Sequence, residues 1–115
     1  MNPDVLCSQL QEGCFDAILS RIYSRPTNQL LPVRQRIQNL LDRYRQIFGA
    51  CRDIGIFSAP GRTELGGNHT DHQQGRVLTG SVDLDTLAAA APNGTDTVRL
   101  YSEGYGLFTL SCNEL

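Results

Sequence analysis

The sequence contains no lysine; its ten basic residues are all arginines. That absence removes a Schiff-base lysine and the Gly-Lys-[Ser/Thr] end of a Walker A loop, so phosphate chemistry would need another arrangement. No two cysteines stand in C-x-x-C spacing: Cys7, Cys14, Cys51 and Cys112 are scattered. A zinc ribbon and a dithiol redox motif are thereby excluded, and reduced, mostly buried thiols are expected. No apolar run approaches the roughly 18 residues a spanning helix needs, and Asp4 and Glu12 stand where a secretory leader carries basic residues. The expectation is a cytoplasmic chain with no membrane partner. Twelve acidic residues leave a net charge of -2, which supplies no general attraction toward nucleic acid.

With 40% hydrophobic residues in a chain of 115, there is material for one core. Val5, Leu6, Leu10, Cys14, Phe15, Ile18, Leu19, Ile22 and Tyr23 recur in steps of three and four, which predicts one helical stripe, with Asn2 and Pro3 as its cap and first turn. Pro26 ends that pattern. A second helix is predicted through Val33, Ile37, Leu40, Leu41, Tyr44, Ile47 and Phe48, stopped by Gly49. Its Arg34, Arg36, Arg43 and Arg45 are read as a solvated face, because Asp42 interrupts them and no recognition motif accompanies them.

From Ile54 the period becomes extended. Strands are predicted at 54–58, 76–82, 86–91, 98–102 and 107–111, with Pro92-Asn93-Gly94-Thr95 as a hairpin turn between 86–91 and 98–102, and Gly104-Tyr105-Gly106 as another turn. Ala88 to Ala91 favour helix by propensity, but their setting between a strand pattern and an Asn-Gly turn favours strand. The fold class is α+β: two N-terminal helices over 1–49, then a mixed or antiparallel sheet over 50–115.

Ionisable groups and glycines concentrate between Ala59 and Gly75. Glycines let backbone approach a ligand closely, while Arg62, Asn68, His69 and Asp71 offer charge and directional hydrogen bonds. A phosphate cradle on Gly61, Gly66 and Gly67 lacks a lysine and a following helix. A metal site on His69, Asp71 and His72 lacks a second ligand cluster, and a hydrogen-bonded turn is a third reading. Polar small-molecule binding accommodates the most residues.

Gly61-Arg62, Gly67, His69-Thr70-Asp71 and the later Gly75-x-Val77-Leu78 resemble the galactokinase signature, usually written G-R-x-N-x-I-G-E-H-x-D-Y and followed by a glycine and an apolar strand. The likeness runs more loosely from about Leu40 to about Tyr101, with the signature itself at 60–72. It implies a partial N-terminal domain of a GHMP small-molecule kinase (ribosomal protein S5 domain 2-like), acting in ATP-dependent phosphorylation of the anomeric hydroxyl of galactose, with ATP and Mg²⁺ as cofactors of the complete enzyme. By the same resemblance Arg62 takes the catalytic arginine's place, Asp71 that of the aspartate gripping adjacent ring hydroxyls, and His69 that of the histidine near the sugar's far end. Asn68 stands where the family has a glutamate facing the C6 hydroxyl. An amide donates as well as accepts, so a hexuronic acid such as galacturonate is an alternative substrate. Glu64, Gly66 and His72 replace the family's asparagine, isoleucine and tyrosine.

The family's phosphate loop, Pro-x-Gly-x-Gly-Leu-Ser-Ser-Ser, and its general-base aspartate have no counterpart in these 115 residues. The expectation is a truncated or excised segment, inactive alone, whose uncovered sheet edge invites dimerisation. A non-catalytic sugar-binding module is the other class, and Arg62 separates the two, since a cation beside a neutral sugar gains most in a transition state.

Overall fold

In the computed structural model, which describes residues 2–49, 53–67 and 74–114, Asn2 caps the first helix as expected: its side chain accepts from the Asp4 amide at 2.9 Å. Helix α1 spans Pro3–Gln11. The single stripe predicted from Val5 to Tyr23 is divided, with helix α2 spanning Asp16–Tyr23. Gly13 makes the break at φ +80°, and a Cβ there would lie 3.0 Å from an Asp16 carboxylate oxygen and 3.2 Å from Arg34. A side chain would collide with the ion pair that Asp16 forms with Arg34. The chain leaves α2 through Ser24 in the left-handed region, passes a short 3₁₀ turn at Thr27–Gln29, and enters helix α3 at Leu31–Phe48. Gly49, at φ +77°, ends α3 with its amide on the Arg45 carbonyl. Among the described residues there are therefore three α-helices where two were expected.

The core is largely helical. Cys7 and Leu10 of α1, Leu19 of α2, Leu30, and Val33, Ile37 and Leu41 of α3 are buried together with Ile54, while Ile56, Leu87 and Ala89 pack on its margin. Leu30 and Leu41 are fully enclosed, each worth about 1.5–3 kcal/mol of transfer free energy. Of the three described cysteines only Cys7 is buried; Cys14 and Cys112 are exposed, which corrects the expectation of mostly buried thiols.

Strand β1, Gly55–Gly66, pairs antiparallel with β2, Leu78–Ala90, from Gly55 opposite Ala90 to Gly66 opposite Leu78. Strand β1 thus continues through residues 59–66, which read as a glycine-rich turn. Pro60 is tolerated because, among the described residues, the sheet has two strands, leaving an open edge for a residue without a donor. Segments 76–82 and 86–91 merge into β2, whose Ala88–Ala90 pair with Phe57–Gly55; the alanine run is strand, as expected.

A second two-stranded sheet holds β3, Thr97–Ser102, and β4, Gly106–Ser111. The expected hairpin across Asn93-Gly94 does not join partners, because the end of β2 is already paired with the start of β1. Asn93 makes a local turn instead: its side chain accepts from the Thr95 amide at 2.9 Å and donates to the Thr97 carbonyl at 2.7 Å. The β3–β4 hairpin leans on the end of α3, with the Arg99 guanidinium 5.5 Å from the centroid of the Phe48 ring.

Candidate functional site

The signature occupies the far half of the β1–β2 hairpin. Arg62 lies in β1 opposite Ser81 and is exposed; among the described residues no carboxylate pairs with it. The bracing ion pair that a purely structural arginine would make is therefore not seen there. Gly61 sits where β2 presses close: a Cβ would meet Val82 Cγ2 at 3.0 Å and the Leu84 carbonyl oxygen at 3.2 Å. The register explains the crowding. Pro60 faces Asp85 and Arg62 faces Ser81, so three residues of β2, Val82–Leu84, bulge opposite the single Gly61.

Past the next irregularity, between Glu64 and Gly66, Gly67 adopts φ +106°, and a Cβ there would fall 2.5 Å from the Arg76 carbonyl oxygen and 2.8 Å from Val77 Cα. The two stems touch backbone to backbone at that point. By sequence, Asn68, His69, Asp71 and His72 lie between Gly67 and Gln74; all four fall outside the described residues. Of the expected site residues, the structure places Arg62 alone. Among the described residues no group of three or more His, Cys, Asp or Glu could hold a metal ion, and the triad His69, Asp71 and His72 lies outside them.

The best-organised polar cluster is one the sequence reading did not single out. Asp85, with 8% of its side chain exposed, accepts at Oδ2 from the Tyr23 hydroxyl at 2.8 Å and the Ser58 hydroxyl at 2.7 Å, and at Oδ1 from Arg36 at 2.7 Å. Arg36 also donates to the Asp85 carbonyl at 3.3 Å. Burial pushes the carboxyl upward, but the three donors and the Arg36 charge outweigh it and hold the group at about 2. Tyr23 is pushed up from the usual phenol value, first by burial and then by its bond to Asp85. Two residues earlier, Asp83 pairs with Arg25 at 3.1 Å. A signal was present in the sequence: Asp83 and Asp85 alternate with the apolar Val82 and Leu84, a period of two that assigns both to one face.

The arginines of α3 keep a partly solvated face, with Arg36 and Arg43 about half exposed, but each is also ion-paired. Arg34 is bound to Asp16, Arg36 to Asp85, Arg43 to Glu103 at 3.1 Å, and Arg45 to Asp4 and Asp42. They tie α3 to α1, α2 and both sheets.

A cavity of about 610 Å³ lies between the helices and the β1–β2 sheet, walled by Leu10, Phe15, Ile18, Ile22, Ile56 and Val82 among others. Its size suits a ligand; its wall is mostly apolar but includes Tyr23, Ser58, Asp83 and Asp85, and Pro60 of the signature lines it while Arg62 and Gly67 do not.

Residues 42–92 match the model of the galactokinase galactose-binding signature. The chain is similar to galactokinases of Lactococcus lactis (33% identity over 66 residues, 57% of this chain and 16% of that protein), Bacillus subtilis (36% over 62 residues, 54% and 16%) and Streptococcus mutans (35% over 81 residues, 68% and 20%). The matches thus span about a sixth to a fifth of these relatives. No solved structure matches, so the expected GHMP kinase architecture rests on sequence, while the α+β class is seen directly. No described helix is long and apolar enough to cross a membrane.

Proposed function

We propose that this chain, which carries the galactokinase galactose-binding signature over residues 42–92, supplies the sugar-holding part of a kinase that phosphorylates the anomeric hydroxyl of galactose to give galactose 1-phosphate. The match to the signature, set on a hairpin whose stems meet at Gly67, is the observation that carries the reading. In it Asp71 accepts from two adjacent ring hydroxyls and selects their stereochemistry. His69 and Asn68 contact the far end of the sugar. The charge of Arg62 favours ionisation of the attacking hydroxyl and offsets negative charge developing on the transferred phosphoryl group. Its lack of an ion-pair partner among the described residues leaves that charge available.

The reaction class calls for ATP and Mg²⁺. This chain's residues do not fit them: there is no phosphate loop of the galactokinase kind in the sequence, and no metal-ligand cluster among the described residues. In this reading the 115 residues bind sugar without turning over ATP. Asn68 favours a second reading, in which a donor amide meets the carboxylate of galacturonate. The working environment is the cytoplasm, and the sugar is the partner. Self-association is a further expectation, because the cross-strand pairs Val98–Leu110 and Leu100–Phe108 remain about half exposed on a sheet with open edges. Sedimentation as a monomer across a wide concentration range would remove that last point.

Calorimetric titration of the chain with galactose, galacturonate and glucose tests the assignment. Galactose binding that Asp71→Ala abolishes supports it, and preference for galacturonate moves it to the uronic acid reading. Equal or absent binding of all three sugars overturns it.

A further inference from the structure

The signature match begins at residue 42, yet the groups that grip the strand opposite Arg62 come from earlier in the chain. Tyr23 closes α2, Arg25 follows it, and Arg36 lies in the first half of α3. All three converge on β2 around its bulge. Arg25 holds Asp83 inside the bulge at 3.1 Å, while Tyr23 and Arg36 hold Asp85 at its edge, at 2.8 and 2.7 Å. Ser58 of β1 binds the same Asp85 oxygen as Tyr23, at 2.7 Å, so the clamp spans both strands. The bulge in turn presses on Gly61, where even a Cβ would meet Val82 at 3.0 Å. Arg62 is the next residue.

We propose that Asp85 is a positioning residue for Arg62, through which Tyr23 and Arg36, aided by Arg25 on Asp83, fix the β2 bulge and thereby the place of the Arg62 backbone. A bulge is the part of a ladder with fewest backbone bonds to define it, and a nearly buried carboxylate with three donors is held far more rigidly than an exposed pair. A helical segment outside the signature thus sets the attitude of a residue inside it. The inference rests on the reading of Arg62 as the catalytic arginine only for its functional meaning; the mechanical link stands or falls separately.

Amide exchange and the Arg62 Nε–H resonance, followed by NMR on the whole chain, test it in Tyr23→Phe and Asp85→Asn, with Arg43→Gln as control. The control breaks an ion pair to Glu103, outside the β1–β2 sheet. The expected result is exchange accelerated about tenfold or more at Gly61, Arg62 and Ser81, and a shifted Arg62 side-chain resonance, while Ile37 and Leu41 of α3 exchange as before. Arg43→Gln leaves all of these unchanged. An unmoved Arg62 resonance, or acceleration spread equally over α3 and the hairpin, overturns the proposal. Tyr23→Phe removes a single hydroxyl and keeps the test open should Asp85→Asn fail to fold. Titration of the wild-type chain with galactose reads the functional assignment independently: absence of binding removes the sugar-kinase reading and leaves the exchange result to decide the positioning.

Discussion

Gly67 and Arg76 meet backbone to backbone at the neck of the signature hairpin: a Cβ on Gly67 would stand 2.5 Å from the Arg76 carbonyl oxygen. Two constraints coincide there, a left-handed φ of +106° and a contact that no flexible side chain can relieve. The segment that holds Asn68, His69 and Asp71 is joined to the sheet through this neck.

Gly67→Ala is accordingly expected to weaken the hairpin by about 1–3 kcal/mol through backbone strain and displacement. Sugar titration should show binding lost or reduced at least about tenfold, while amides of α3 keep their exchange protection. Those helical amides are the internal reference, because the core of Leu30, Ile37 and Leu41 lies among the helices. Undiminished sugar binding in Gly67→Ala would show that the neck does not govern the loop.

Asp85 gives the chain an acid-sensitive clamp. Its carboxyl sits at about 2 against an ordinary 3.8, so between these values the unfolded chain binds more protons than the folded one. The stability it contributes is complete above about pH 4 and is lost as pH falls from there through about 2. The shift corresponds to about 1–2 kcal/mol once screening is allowed for. Denaturant titrations at pH 6, 4, 3 and 2 should show this decline in the wild type, and a shallower one in Asp85→Asn, which starts from lower stability.

Much of the helical architecture was legible because it is local. The Asn2 cap, the α3 stripe and the Gly49 stop each depend on residues within a few positions, and each appears where the pattern placed it. The break at Gly13 was hidden because Cys14 and Phe15 continue the apolar rhythm across it. What makes it necessary is Arg34, which binds Asp16 from 18 residues away. The same holds for the other arginines of α3: the carboxylates of Asp4, Asp85 and Glu103 lie 41, 49 and 60 residues distant, so a helical wheel shows charge without partners. Residues 59–66 read as a turn because Pro60, Gly61 and Gly66 are turn formers, and only the pairing with β2 reveals a strand. The signature residues were recognisable by order and spacing. The clamp that supports one of them was not, since Tyr23, Arg36, Ser58 and Asp85 come from four separate elements.

The second sheet depends on a thin contact. Arg99 rests on Phe48, whose ring lies 5.1 Å from that of Tyr44, and Glu103 is held by Arg43. Phe48→Ala removes the platform for Arg99. The expected loss is about 1–2 kcal/mol, smaller than for an enclosed core aromatic because one face of the hairpin remains in solvent. Amides of β3 and β4 should lose protection first while those of β1 and β2 are unaffected. Simultaneous loss in both sheets would mean that they unfold as one unit.

Arg62 is where the proposed catalytic role can be told apart from a role in folding. It is exposed in β1 and has no carboxylate partner among the described residues, so its truncation removes neither an ion pair seen in the structure nor buried surface. Arg62→Ala should keep thermal stability within about 0.5 kcal/mol of the wild type. If its charge acts on the ionising hydroxyl and the transferring phosphoryl group, a neutral bound sugar gains little from it, and galactose affinity in the chain should change less than about threefold. Asp71→Ala, by contrast, should abolish binding if, as proposed, its carboxylate accepts from ring hydroxyls already present in the ground state. Side-by-side titrations of the two variants read this difference directly. Equal losses of affinity would place Arg62 among the ground-state sugar contacts, and marked destabilisation by Arg62→Ala would assign it a bracing role.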